Sequence, residues 1–335
     1  MRIFILVACL WLVTSPLWGK IVFEITQNGN TDIYKMDSDG NNQIRLTHHP
    51  GMDLLPTWSP NGRQIAFHSN RDGEDKQLAT PEIYVMDADG SDLRRLTHHP
   101  AYDGGPHWHP NGEQIVFASS RGPGIYTMDT NGGNIQLIIE IDFGSRPKWS
   151  PDGKRIAFTG IVEGNGGLYI VDVNGENLWR LPTPPHVQSM PLADWSPDGY
   201  KILYTEQVFN QVNNILEESS LGIATLNLTR REVIEFKQIK RPNFLFDVHA
   251  GGWSPDGKSI LFSGAVEEWD IYRFRLSDGE VTQLTDSPDT DYAAHEWNPR
   301  LPVSPQGLGP TRWGEIKSNS HRHRGIGRGS IPPIP

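Results

Sequence analysis

The sequence of 335 residues contains a single cysteine, Cys9. Cys9 lies within an N-terminal stretch that has the pattern of a secretory signal, so a chain cleaved after this stretch would carry no thiol and no disulfide. Stability must then come from burial of apolar side chains and from hydrogen-bonded strand ladders. The apolar part of the stretch, residues 3–13, is too short to span a bilayer, and the sequence therefore predicts no transmembrane segment.

Residues 1–19 show the order of parts that a signal peptide requires. Arg2 supplies the positive charge, residues 3–13 are apolar, and a small-residue cleavage site ends at Gly19. The segment Leu6–Cys9 has the pattern of a bacterial lipobox, but almost no apolar run precedes it. We therefore expect cleavage without lipidation, and a periplasmic or secreted protein.

Two further absences exclude function classes. Lysine and arginine number 30 against 40 aspartates and glutamates, which leaves a formal charge of −10. A nucleic-acid binder needs clustered positive charge to displace counterions, so nucleic acid is not an expected partner. The sequence also lacks a Gly-x-Ser-x-Gly nucleophile elbow, a His-Glu-x-x-His zinc motif, a P-loop and a dinucleotide fingerprint. These absences argue against the corresponding hydrolases, metalloproteases and nucleotide-dependent enzymes.

What the chain does contain is one phrase repeated along most of its length. Residues 147–158 read Pro-Lys-Trp-Ser-Pro-Asp-Gly-Lys-Arg-Ile-Ala-Phe, and variants of this phrase recur at intervals of 41 to 58 residues. The tryptophans of the six copies are Trp58, Trp108, Trp149, Trp195, Trp253 and Trp297. A period in the forties that carries several short strands predicts an all-β propeller of four-stranded blades.

Each repeat has the same order of strands and turns. A strand ending in tryptophan is followed by a Ser-Pro-Asp/Asn-Gly turn, an Ile-x-Phe strand, an Ile-Tyr-x-Met strand, an Asp-x-Asp-Gly turn and a short fourth strand. This order predicts an antiparallel meander whose tryptophans and Ile-x-Phe residues form the core. The Asp-x-Asp-Gly segments lack the remaining ligands of a calcium-binding loop and are interpreted as hairpin turns.

The first and last repeats are each incomplete, and they complement one another. Residues 21–47 lack the tryptophan strand, whereas the segment around Trp297 has that strand and then loses the pattern. Pairing the two would close a ring of six blades and remove the exposed edges of an open array. We therefore expect a signal peptide at 1–19, a six-bladed propeller at 20–302 and a basic, Gly/Pro-rich tail at 303–335.

Loops of a meander alternate between the two ends of each blade, so the tight Ser-Pro-Asp-Gly turns share one face of the ring. The blade-to-blade loops and the loops between second and third strands share the other, called here the long-loop face. It carries the insertion Glu206–Ser220 and the exit loop Ile239–Asp247. Six aromatic residues outside the repeat pattern are candidates for binding a partner there: Tyr102, Phe209, Phe244, Phe246, Trp269 and Tyr292.

Acidic residues and histidines near this face are candidates for a cation site. Five aspartates precede repeat tryptophans by five to seven positions: Asp53, Asp103, Asp142, Asp247 and Asp291. Convergence of these aspartates at the mouth of the channel would attract Ca²⁺ or a basic peptide. The alternative is that each aspartate caps its own loop by accepting bonds from backbone N–H groups. His49 and His99 are weaker candidates for metal binding, because duplication of the repeat also explains them.

The repeated run resembles a known family. Leu-Thr-x-x-Pro, Pro-x-Trp-Ser-Pro-Asp-Gly-x-x-Ile-Ala-Phe and Ile-Tyr-x-Met-Asp-x-Asp-Gly are similar to the WD40-like repeat of TolB-type propellers, over residues 20–300. The resemblance implies a secreted or periplasmic propeller that binds other proteins. TolB also has an N-terminal α/β domain, whereas here the repeats begin directly after the predicted signal, so only the propeller is expected.

Two functions from different classes follow. The first is a non-enzymatic, monomeric propeller that binds a protein or peptide partner through the long-loop face, with or without a channel cation such as Ca²⁺. The alternative is a metal-dependent carbohydrate-active enzyme, either a polysaccharide lyase or a glycoside hydrolase, as in the oligogalacturonate lyases that use channel histidines. His49, His99, Asp103 and Asp291 would then be its metal ligands or its acid and base.

Overall fold

A computed structural model of the chain describes residues 19–72, 80–210, 213 and 215–297. Within these residues the chain forms 24 strands, arranged as six antiparallel sheets of four strands each. The predicted tail at 303–335 lies outside the described residues, as does the predicted signal peptide apart from Gly19. The all-β, six-bladed architecture expected from the repeat is confirmed.

Five blades are each built from four consecutive strands. Blade 2 contains β4 (Asp53–Trp58), β5 (Gln64–Ser69), β6 (Glu82–Asp87) and β7 (Arg94–Arg95). Blade 3 contains β8 (Asp103–Trp108), β9 (Gln114–Ser119), β10 (Gly124–Asp129) and β11 (Gln136–Glu140). Blade 4 contains β12 (Phe143–Trp149), β13 (Arg155–Val162), β14 (Asn165–Asp172) and β15 (Trp179–Arg180). Blade 5 contains β16 (Leu192–Trp195), β17 (Lys201–Phe209), β18 (Leu216–Asn227) and β19 (Glu232–Ile239). Blade 6 contains β20 (Asp247–Trp253), β21 (Ser259–Ala265), β22 (Trp269–Arg275) and β23 (Val281–Gln283).

Blade 1 joins the two ends of the described chain. It contains β1 (Lys20–Gln27), β2 (Asn30–Asp37), β3 (Ile44–Arg45) and β24 (Thr290–Trp297), in the order β24-β1-β2-β3. Strand β24 runs antiparallel to β1, with Ile25 opposite Asp291 and Val22 opposite His295. The predicted closure of the ring by a composite blade, with β24 innermost, is confirmed.

The last repeat differs in register from the other five. In blades 2 to 6 the repeat tryptophan lies opposite the first isoleucine of the Ile-x-Phe strand, as Trp58 does opposite Ile65. In blade 1 this place opposite Ile21 is taken by Glu296. The interpretation of Trp297 as the equivalent tryptophan is therefore wrong by one residue.

Glu296 and Trp297, the two residues affected by this shift, each contact a neighbouring blade and so help to close the ring. The buried carboxylate of Glu296 accepts a hydrogen bond from the Arg273 guanidinium of blade 6 at 3.0 Å. The Trp297 indole N–H donates to the carbonyl of Pro60 in blade 2 at 3.0 Å, and its ring lies 6.2 Å from that of Trp58. One strand end thus binds both neighbouring blades.

The core is divided into six clusters, one at each boundary between blades. The cluster between blades 1 and 2, for example, contains Val22, Trp58 and Phe67. The five repeat tryptophans of blades 2 to 6 are each no more than 5% exposed. The predicted core of tryptophans and Ile-x-Phe residues is confirmed, and each blade is stabilised by its two neighbours because both faces of its sheet are apolar.

The Ser-Pro-Asp/Asn-Gly turns interlock between blades on the short-turn face. Their glycines have φ between 67° and 78°, a conformation that glycine adopts without steric cost. At Gly153 a Cβ atom would also lie 2.4 Å from Nε2 of His109, which belongs to the preceding blade. The turn glycine is therefore required by close packing as well as by the backbone.

The insertion in blade 5 is not a loop over most of its length. Strands β17 and β18 extend as a hairpin, pairing through Val208 opposite Glu218 and Phe209 opposite Leu216. The prediction of a long loop at Glu206–Ser220 is corrected accordingly. Extension of an existing ladder satisfies the backbone hydrogen bonds that an irregular insertion would leave to water.

Within the residues that the structure describes, no helix has both the length and the apolar character that crossing a membrane requires.

Candidate functional site at the channel and its long-loop mouth

The aspartates that precede the tryptophans lie at the long-loop ends of the innermost strands. Asp53 is fully buried and accepts two hydrogen bonds of 2.7 Å from the Arg71 guanidinium. Asp103 is also fully buried and pairs with Arg121 through Oδ2, while its Oδ1 has no hydrogen-bond partner among the described residues. Each arginine lies over two aromatic rings of its own blade, at 5.1 to 5.8 Å. These two aspartates are thus neutralised inside their blades rather than presented to the channel.

The other three aspartates also accept hydrogen bonds from neighbouring groups, Asp291 from the Ser287 hydroxyl at 3.3 Å. Asp142 accepts a hydrogen bond from the Gly164 N–H at 2.7 Å. Asp247 accepts from the Ser219 hydroxyl and from the N–H of Val248. Asp291 is fully buried, and burial raises the pKa of its carboxyl to about 7.

The two candidate histidines have matching local roles. His49 Nδ1 accepts a hydrogen bond from the Gly51 N–H at 2.9 Å, and His99 Nδ1 accepts from the Ala101 N–H at 3.1 Å. Across residues 19–72, 80–210, 213 and 215–297, no three His, Cys, Asp or Glu side chains are grouped so that they could hold a metal ion.

Part of the predicted aromatic set forms a cluster at the mouth of the channel. The rings of Trp269 and Tyr292 have centroids 4.9 Å apart, and His249 lies 5.0 and 5.4 Å from them. The imidazole of His249 also lies 3.8 Å from the carboxylate of Asp247. Sequence reasoning missed His249, which is two residues from Asp247 and points the same way along β20.

Two phenylalanines of the exit loop are exposed, Phe246 next to this cluster and Phe244 on the blade 5 side of the sheet, where its ring lies 6.1 Å from that of Tyr272. Phe246 is 75% exposed and Phe244 is 55% exposed. The Phe246 N–H donates to the carbonyl of Ala265, and Ala265 pairs with Trp269 in the adjacent strand. We call Phe244, Phe246, Trp269, Tyr292 and His249 together the aromatic mouth.

The remaining two aromatic candidates have other surroundings. Tyr102 is half-buried and lies edge-on to His68, with centroids 6.1 Å apart. Phe209 ends the extended hairpin of blade 5, where its N–H donates to the Gln188 side chain. The structure therefore brings Trp269 and Tyr292 into ring contact and adds His249 to them, with Phe246 next to this cluster and Phe244 against Tyr272.

Below the mouth, each of the six innermost strands has a β-bulge at its midpoint. Side chains of the preceding blade satisfy several of the N–H groups that the bulges free: Glu24 bonds Leu55 N–H at 2.8 Å, and His68 bonds Gly105 N–H at 3.1 Å. Burial lowers the pKa of His68 to about 4, so its imidazole is neutral and Nδ1 can accept this bond. The bulges are therefore fixed by bonds between blades.

The bulge of β12 carries two cations into the channel. Arg146 has φ of 50°, a left-handed conformation that costs a non-glycine residue about 1–2 kcal/mol. Arg146 and Lys148 line a cavity of about 50 Å³, whose other walls are apolar side chains, glycine and proline together with His295. Burial lowers the pKa of Lys148, which Asp194 on β16 partly opposes.

Two neutral histidines complete the ring of side chains at the level of Lys148. His107 Nδ1 accepts the N–H of Trp149 at 3.2 Å, and His295 Nδ1 accepts the N–H of Trp58 at 3.1 Å. Burial lowers the pKa of His295 to about 3 and that of His107 well below its usual range. Neither histidine contributes charge to the channel near neutral pH.

On the short-turn face the channel opens into a cavity of about 560 Å³ lined by the repeat tryptophans and the turn prolines. The tryptophan rings are packed between blades, so only their edges contact this space. Its lining consists mostly of repeat residues, joined by His107, Asp194, His295 and Glu296.

Fold and site together define a closed six-bladed β-propeller with a cation-bearing channel and aromatic residues at one mouth. Its repeat is similar to that of TolB, and in fold the chain is a TolB-like six-bladed propeller. A family model described as the Tricorn protease N-terminal beta propeller domain matches residues 18–136.

Individual relatives support this assignment over short segments. The Tol-Pal system protein TolB of Geobacter sulfurreducens is 49% identical over 51 residues, which is 15% of this chain and 12% of that protein. An uncharacterized peptidase of Bacillus subtilis, YuxL, is 39% identical over 82 residues, or 24% of this chain and 12% of the peptidase. The chain thus spans about an eighth of the length of these curated relatives.

Among solved structures, TolB from Acinetobacter baumannii superposes with a TM-score of 0.68 and 18% identity, covering 83% of this chain and 66% of that one. Likeness at this identity shows the shared fold.

Proposed function

We propose that this propeller is exported and binds a protein or peptide partner through its long-loop face, without catalysing a reaction. The observation that carries the proposal is the aromatic mouth: Phe246 is exposed beside the packed Trp269–Tyr292–His249 cluster, and Phe244 is exposed on the blade 5 side of the same sheet. Large aromatic residues that depart from a repeat and stay exposed are typical of binding hot spots.

The energetic reason lies in the exposed area of the two phenylalanines. Complete burial of a phenylalanine side chain contributes about 2 kcal/mol, and Phe246 presents most of its surface to solvent. The neighbouring cluster is held by ring packing within blade 6 and β24, so it offers a rigid support on which a partner would lose little conformational freedom.

Export is supported by the N-terminal sequence alone. Residues 1–18 lie outside the described part of the chain, and their charged, apolar and small-residue parts have the order of a signal peptide. N-terminal sequencing of the protein from the periplasm or the medium tests this. We expect a chain that begins at Lys20, and an unprocessed Met1 in a cytoplasmic fraction would refute it.

Partner binding is tested by site-specific crosslinking. A photo-crosslinking residue placed at position 246 in producing cells should give a discrete adduct, and the Phe244→Ala change should reduce its yield. The control position is Ile234 on β19, which is also apolar and 64% exposed but lies away from the channel. Equal adducts from positions 246 and 234, or none from either, would contradict the proposed surface.

A further inference from the structure

The starting observation is an arginine in a conformation that favours glycine. Arg146 has φ of 50° at the β12 bulge, directly before Pro147. The equivalent residues Leu55, Gly105 and Ala293 have φ of 52°, 64° and 54°, so this conformation belongs to the bulge. Among these four residues only Arg146 is charged, and a charge carried into the channel at this place points to a role in binding.

The guanidinium of Arg146 has no hydrogen-bond or ion-pair partner among the described residues, and the same holds for the ammonium of Lys148. Both groups line the cavity of about 50 Å³ in the channel. In blades 2 and 3, by contrast, Arg71, Arg95 and Arg121 each form an ion pair with a buried carboxylate. Arg146 and Lys148 differ from these arginines in having no such partner among the described residues.

The nearest carboxylates are already engaged elsewhere. Glu24 accepts the Leu55 N–H at 2.8 Å, and Asp194 accepts the Trp195 N–H at 2.8 Å. Both lie close enough to influence the two cations electrostatically, and neither forms an ion pair with them. The positive charge of the channel is thus left for a group from outside.

The chemistry of the cavity selects the group. Its lining is apolar side chains, glycine and proline apart from Arg146, Lys148 and the neutral His295, so an anion that enters meets two cations and no negative charge in the lining. A guanidinium matches the two oxygens of a carboxylate, and a nearby ammonium adds a further donor.

We infer that Arg146 and Lys148 form a binding site for a carboxylate on a segment of the partner that enters the channel from the long-loop face. The carboxylate is either the C-terminus of that segment or an aspartate or glutamate side chain. The inference rests on the proposed function for the origin of the segment, whereas the site itself can be tested with small carboxylates.

The test follows the Arg146 side-chain Nε–H signal by NMR in the isotope-labelled full chain, assigned through its loss in Arg146→Gly. Acetate should shift this signal saturably at millimolar concentrations, while the neutral isostere acetamide should not. In Arg146→Gly the remaining channel signals should lose their acetate response, although the fold is kept because glycine suits this φ. Lys148→Met should weaken acetate binding at least threefold.

Arg230→Gln, at an arginine whose side chain is 75% exposed, is the matched control and should leave acetate binding unchanged. An acetate response that persists in Arg146→Gly, or an equal response to acetamide, would overturn the site. Failure of crosslinking at position 246 with intact acetate binding would refute the aromatic mouth alone.

A second arm identifies the source of the carboxylate. Acetylated triglycine is compared as free acid and as amide, and a third peptide carries an internal aspartate with an amidated end. Tighter binding of the free acid supports a C-terminal group, and tighter binding of the aspartate peptide supports a side chain. If neither binds more tightly than the neutral peptide, a carboxylate carried by a partner is excluded.

Discussion

Replacement of Glu24 by glutamine should change the free energy of unfolding in a pH-dependent way. Compared with wild type, the variant should be more favoured in alkaline solution than in acidic solution. Glu24 is 7% exposed, and burial raises the pKa of its carboxyl from 4.5 to about 7, although the Leu55 N–H and Arg146 act to lower it. In the folded protein the carboxyl therefore stays protonated at a pH where the unfolded chain has already released the proton.

The sign of the effect follows from proton binding. Below pH 4.5 both states are protonated and Glu24 adds no pH dependence; between 4.5 and 7 the folded state binds more protons, so stability falls as pH rises. Above pH 7 the loss is complete. A rise from 4.5 to about 7 corresponds to about 3 kcal/mol at 1.36 kcal/mol per pH unit.

Urea unfolding at pH 4.5 and at pH 8 measures this. The difference in unfolding free energy between Glu24→Gln and wild type should shift by up to about 3 kcal/mol in favour of the variant between the two pH values. Any constant cost of the buried amide cancels in that comparison, and Asp291 contributes equally to both proteins. Glu113→Gln, on an exposed turn, should change by less than about 0.5 kcal/mol. A pH-independent difference for Glu24→Gln would refute the reasoning.

Two further predictions concern stability. Asp53→Ala leaves the Arg71 guanidinium unpaired in a buried position and should lower the free energy of unfolding by about 3–5 kcal/mol. The control Asp142→Ala removes one hydrogen bond and should lower it by about 1 kcal/mol. Similar small losses for both variants in urea unfolding would contradict a buried ion pair. Gly153→Ala should lower the free energy of unfolding by at least about 2 kcal/mol, because it adds a clash with the neighbouring blade to the backbone strain. Gly164 has φ of 75° and open space around it, so Gly164→Ala should lower the free energy by about 1 kcal/mol through the backbone strain alone. Equal melting temperatures of the two alanine variants would rule out interlocked turns.

Several features of the site were present in the sequence but were not recognised there. Asp53 and Arg71 are 18 residues apart, and so are Asp103 and Arg121, which repeats an acid–base pair in two successive blades. Arg146 stands at a position that other blades fill with the uncharged residues Leu55, Gly105 and Ala293, so its charge is a departure from the repeat. Both features can be found in the sequence only when the repeats are aligned and the residues that differ between them are compared.

The sequence by itself determined the number of blades, the order of strands and the closure of the ring. The spacing of tryptophan, Ser-Pro-Asp-Gly and Ile-x-Phe is local, and side chains that alternate along short strands report directly which residues are buried. Turn chemistry at Gly153 and its equivalents sets the hairpins for the same reason, since the required φ belongs to the residue itself.

Only the tertiary structure decided which side chains are neutralised and which remain free. Asp53 is paired and Arg146 is not, although both are charged residues of innermost strands. The shift that places Glu296 opposite Ile21, and the meeting of His249 with Trp269 and Tyr292, depend on bulges and on contacts between strands far apart in the chain. The period of a strand predicts which face of it is buried. It does not predict which residues of other strands that face contacts, because bulges and the packing of blades in the folded ring decide those contacts.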